Sequence, residues 1–67
     1  MNLTNISQRE LDILDKVSHG YTREEMASLV FLSPNTVSSH IKSLFKKLKA
    51  NNTAHLVMIG FQVGLLT

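Results

Sequence analysis

"LSPNTVSSHIKSLFKKL", residues 32–48, is the stretch on which the fold turns. Ser33 followed by Pro34 reads as an N-cap with proline at the first helical position, where the missing N–H is not needed. Beyond it Val37, Ile41, Leu44 and Leu48 recur at helical steps, and Phe45 widens the stripe. The spacing predicts a helix from Pro34 to about Lys49. On a helical wheel Asn35, Ser39, Lys42 and Lys46 lie opposite that stripe, with Ser38 and Lys49 on the flank. One side is made for a core. The other offers small polar groups first and ammonium ions further along.

The same signals recur on either side. Ser7-Gln8-Arg9-Glu10 has capping-box spacing, and Leu11, Ile13, Leu14 and Val17 follow before His19-Gly20, which predicts a helix over Gln8 to Ser18. Thr22-Arg23-Glu24-Glu25 repeats the box and opens a short second helix that buries Met26, Ala27 and Val30. Phe31 and Leu32, between two helices, are expected to tuck inward. Ala50-Asn51-Asn52-Thr53 breaks the pattern, and a fourth helix is expected from about Ala54 to Val63, ended by Gly64. No strand-like alternation appears. The expected fold is all-α, a four-helix bundle forming one domain over residues 1–67.

Composition narrows the function. The 67 residues are 43% hydrophobic and 18% charged, too apolar for a disordered chain and too few for a large core. There is no cysteine for a disulfide or a thiolate, which suits a reducing cytoplasm. The net charge is only +2, but it is polarised: all five acids lie between Glu10 and Glu25, and four lysines lie between Lys42 and Lys49. The start "MNLTNISQRE" lacks the basic and apolar runs of a leader. The apolar stretch Leu56 to Leu66 is shorter than the roughly 20 residues a membrane span needs. A cytoplasmic protein with no membrane partner is the expectation.

A short helix, a tight turn and a longer helix with a polar front make a helix-turn-helix, whose second helix enters the DNA major groove. Asn35 and Ser39 would allow close approach to base edges, while Lys42, Lys46 and Lys49 would meet guanine acceptors or phosphates. The competing reading is a solvated surface with no ligand. His19, His40 and His55 lack metal-ligand spacing, so no metal or other cofactor is expected. Ser39 beside His40 is no catalytic pair, because adjacent helical residues point apart, and no enzyme activity is expected. His40 borders the apolar stripe and reads as a structural histidine. Glu10, Glu24 and Glu25 read as capping or solvated acids near helix starts.

In order and spacing the chain resembles the LuxR/FixJ/NarL/GerE type of DNA-binding domain of bacterial transcription regulators. The resemblance rests on Ile6-Ser7-Gln8-Arg9-Glu10-Leu11-Asp12-Ile13-Leu14, Gly20 and Glu25-Met26-Ala27, then on Leu32-Ser33 and Thr36-Val37-Ser38-Ser39-His40. Lys47-Leu48 and Gly64-Leu65-Leu66 complete it. It implies a domain whose third helix reads the major groove of double-stranded DNA, often as a dimer. By that analogy Ser38, Ser39 and Lys42 face bases, and Thr22, Thr36, Lys46 and Lys47 hold phosphates. Two departures stand out. The family usually carries a basic residue where this chain has Ser38, and an Arg-Thr pair where it has Thr53-Ala54.

The fourth helix is apolar on two sides. Val57, Gly60, Phe61 and Gly64 form one stripe, Leu56, Ile59 and Val63 a second, and Met58 adds to the excess. The expectation is that Leu56, Met58, Ile59 and Val63 form a homodimer interface, or a contact with a sensory domain or related regulator, the alternative being that packing around a thin core takes up more of this helix. An alternative function follows: a protein-interaction module of the same fold that pairs with a related regulator and binds DNA weakly or not at all. The promoter-reading region of a sigma factor is a third. Met1 fits either a stand-alone regulator or an excised C-terminal domain.

Overall fold

The computed structural model describes residues 6–67, and the leader reading at the first five residues lies outside them. The described residues form four helices, α1 (Gln8–Ser18), α2 (Arg23–Val30), α3 (Pro34–Leu48) and α4 (Thr53–Gln62). Each starts where the sequence supplies a cap. Ser7 Oγ accepts the Glu10 N–H at 3.1 Å while Glu10 Oε1 accepts the Ser7 N–H at 2.9 Å. Thr22 and Glu25 repeat this reciprocal pair at 3.1 and 2.8 Å, and Ser33 Oγ accepts from Thr36 N at 3.1 Å ahead of Pro34. At α4 the cap is Asn52, whose Oδ1 accepts the His55 N–H at 2.9 Å, while His55 Nδ1 accepts the Asn51 N–H at 3.0 Å. That helix therefore begins and ends one residue earlier than its expected bounds.

The turn between α2 and α3 departs from expectation. Phe31 takes a left-handed conformation, φ 59°, and is 92% exposed rather than tucked inward. The sharp reversal sends consecutive side chains in different directions. Val30 is buried and Leu32 packs at the core margin, its N–H held by Ala27 O at 3.0 Å, and Phe31 between them is thrown outward.

The core collects Ile13 and Leu14 from α1, Met26, Ala27 and Val30 from α2, Val37, Leu44 and Leu48 from α3, and Leu56 and Ile59 from α4. Leu66 joins them because the chain end folds back, its N–H and that of Leu65 both donating to Gly60 O. A Cβ on Gly60 would lie 2.8 Å from Leu66 Cδ1, so the missing side chain is what admits that fold-back.

The expected interface on α4 needs correction. Leu56 is 0% and Ile59 8% exposed, and Val63 is half-buried against the same core. Their three- and four-residue steps turn them toward α1 and α3, the helices α4 packs on. Met58 and Phe61 are the large apolar side chains left outside, 50% and 51% exposed.

Side-chain hydrogen bonds cross-link the helices. Arg9 Nη1 donates to Val30 O at 2.9 Å, tying α1 to the last turn of α2. Arg23 Nη1 donates to Ser38 Oγ at 3.1 Å, tying α2 to α3. Lys47 Nζ meets Glu10 Oε1 at 2.8 Å, tying α3 to α1. Glu10 caps as expected but is not solvated: it is 3% exposed. Burial pushes its carboxyl pKa up, and hydrogen bonds from Lys47, the Ser7 N–H and Ser43, with the Lys47 charge, outweigh that and hold it at about 2.

Candidate nucleic-acid interface

With Val37, Leu44 and Leu48 buried, the opposite side of α3 has to face solvent. Asn35, Ser39, Lys42 and Lys46 are all exposed and form one continuous strip. Ser39 Oγ donates to Asn35 O at 3.2 Å, which keeps the side chain short against its own helix and leaves its lone pairs outward. The strip is thus low at its N-terminal end and cationic further along, where Lys42 and Lys46 stand one turn apart. Lys49 closes α3 in a left-handed conformation, φ 54°, with its side chain exposed beside them.

The other expected site residues are placed differently. Ser38 is half-buried and its hydroxyl accepts from Arg23, so it faces α2 rather than standing clear. Lys47 directs its ammonium at the buried Glu10 carboxylate instead of lying open for a phosphate, because α1 brings that acid under the last turn of α3. Thr22 is exposed and caps α2, whereas Thr36 is half-buried and shares a hydrogen bond with Ser33 at 2.9 Å. Both stand at helix N-termini, where N–H groups and the dipole favour an anion.

Beside α3 opens a recess of about 330 Å³ with an apolar floor that includes Met26, Ile41 and Leu56. Tyr21, Arg23 and Thr53 stand on its wall. Arg23 was not among the expected site residues. The only sequence signal was its place beside the Thr22 cap, and nothing in helical periodicity reveals a contact across 15 residues.

Among the described residues no cluster of His, Cys, Asp or Glu is placed to hold a metal ion. No helix among them is long and apolar enough to cross a membrane.

Comparison with known proteins shows the family. Residues 4–59 match the family described as bacterial regulatory proteins, luxR family. The chain is 30% identical over 61 residues to the response regulator protein VraR of Staphylococcus aureus (strain NCTC 8325), and equally to the proteins of that name in Staphylococcus saprophyticus and Staphylococcus epidermidis. Those alignments take in 91% of this chain but only 29% of each relative, so the chain spans under a third of their length.

Proposed function

Because the chain belongs to the luxR family of bacterial regulatory proteins, we propose that it binds double-stranded DNA and regulates transcription, with α3 lying in the major groove. The observation that carries this is the exposed strip of Asn35, Ser39, Lys42 and Lys46 on a helix whose other side is locked into the core. Asn35 and Ser39 give the hydrogen-bonding groups for base edges, and Lys42 reaches guanine acceptors. Lys46, Lys49 and the capped ends at Thr22 and Thr36 hold backbone phosphates and set the register. Ser38 and Lys47 are left out of this set, because both are engaged within the chain. The role is one of binding, without a reaction or a cofactor, and its place is the cytoplasm.

A second copy pairs through the outer side of α4, where Met58 and Phe61 supply the apolar contact and Val63 its margin. Two copies then read half-sites about one helical turn of DNA apart. A sensory domain or a related regulator controls the pair, as the greater length of the response-regulator relatives suggests. The interaction-module reading keeps some support from the absence of a basic side chain at Ser38 and Thr53.

Duplexes selected from a random pool by the wild-type chain provide the test. Lys42→Ala and Ser39→Glu should each abolish binding to them while leaving the helical circular-dichroism signal intact. Unaltered binding by both variants would sink the assignment of α3.

A further inference from the structure

We infer that Arg23, reaching across from α2, supplies the phosphate-binding cation that Ser38 and Thr53 do not, and holds the DNA backbone at the edge of α3. This rests on the DNA-binding reading above. The first observation is position. The Arg23 guanidinium lies 3.1 Å from Ser38 Oγ and lines the same recess as Thr53. One flexible cation therefore touches one of the two places where the resemblance calls for a basic residue and this chain has a hydroxyl, and shares a recess with the other.

The second observation is that helix stability does not account for it. Arg23 is the first residue of α2, where a cation opposes the positive end of the helix dipole. Glu24 and Glu25 in the same turn already complement that dipole. The third is that the guanidinium is held in readiness for an anion. Its Nε and Nη2 both donate to Glu24 Oε2, at 3.3 and 3.2 Å, in a pair that is half open to water on both sides. An exposed pair of this kind is weak and exchanges readily. A phosphate, with oxygens matched to the planar fork, displaces the Glu24 carboxylate while Nη1 keeps its bond to Ser38.

Arg23 then acts without base discrimination: it tightens binding to every duplex and steepens the dependence on salt. The test uses duplexes selected by the wild-type chain, titrated over a salt series with wild type, Arg23→Gln, Ser38→Ala and the Arg23→Gln/Ser38→Lys double variant. Circular dichroism checks the fold of each. Arg23→Gln removes the charge and also shortens the side chain, so Ser38→Ala is the control for loss of the tether. Arg23→Gln should weaken all duplexes alike and lower the slope of log affinity against log salt by about one. Ser38→Ala, which cuts the tether but spares the charge, should leave the slope unchanged. Lysine at position 38 should restore it in the Arg23→Gln background.

A wild-type slope in Arg23→Gln overturns the inference, as do equal losses in Arg23→Gln and Ser38→Ala, which would mark a tether and nothing more. Failure of the lysine to restore the slope does so too. If the wild-type chain selects no duplex, the DNA-binding reading falls and takes this inference with it. If Lys42→Ala abolishes binding while Arg23→Gln keeps the slope, only the role of Arg23 is lost.

Discussion

Glu10 shows how much one side chain can carry in a domain of this size. It closes the cap of α1 through the Ser7 N–H and holds Lys47 of α3 at 2.8 Å, all at 3% exposure. Its pKa is lowered from 4.5 to about 2, so the unfolded chain binds the proton more tightly than the native one. The stability this contributes is present in full above the unfolded pKa and is lost as pH falls from about 5 toward 2. A shift of that size corresponds to roughly 3 kcal/mol. Glu10→Gln keeps a cap acceptor but loses the charge. It should lower urea stability at pH 7 by about 1–3 kcal/mol and flatten the loss between pH 5 and 2. An unchanged acid limb in urea titrations of the variant would show that other carboxyl groups govern it.

At the scale of elements, the α2–α3 turn pairs a left-handed backbone with a bulky residue. Phe31 at φ 59° occupies a region glycine favours, and at 92% exposure its ring gains little from burial. Relief of a left-handed strain of roughly 1–2 kcal/mol exceeds the roughly 0.5–1 kcal/mol of extra chain entropy glycine loses, so Phe31→Gly should raise thermal stability slightly, with duplex binding unchanged. A lower melting temperature would mean that the ring contributes contacts its exposure conceals. This turn also marks the boundary of what was legible beforehand. Helix positions could be read from sequence because caps are local: Ser7 with Glu10, Thr22 with Glu25 and Ser33 with Pro34 act within four residues. The exposed strip on α3 could be read because its apolar period is unbroken. Phe31 could not, since hydrophobicity suggested burial while the turn geometry decided against it. The buried side of α4 could not either, because apolar residues surround that helix and no period singles out Leu56 and Ile59. The ties from Arg9 to Val30, Arg23 to Ser38 and Lys47 to Glu10 span 21, 15 and 37 residues, and only the packed fold brings them together.

For the molecule as a whole, a thin core makes the two sides of α4 unequal. Leu56 and Ile59 are set among Ile13, Leu14, Leu44 and Leu48, in a domain with few other buried groups to compensate for a loss. A carboxylate at Ile59 would sit where the side chain is now 8% exposed, within the apolar core. Burying an unpaired charge costs several kcal/mol, comparable to the whole stability of a small domain. Ile59→Glu should therefore unfold the chain, and any loss of dimer in that variant would report unfolding. Met58 is the informative position, because its side chain is 50% exposed and the core does not depend on it. Met58→Glu should keep the helical signal and the cooperative melt while light scattering shows the mass fall from two chains to one. If the mass stays that of a dimer, pairing runs through another surface. If the wild-type chain is already monomeric at concentrations where it binds duplex DNA, the outer side of α4 belongs to a different partner, and half-site spacing then loses its geometric basis.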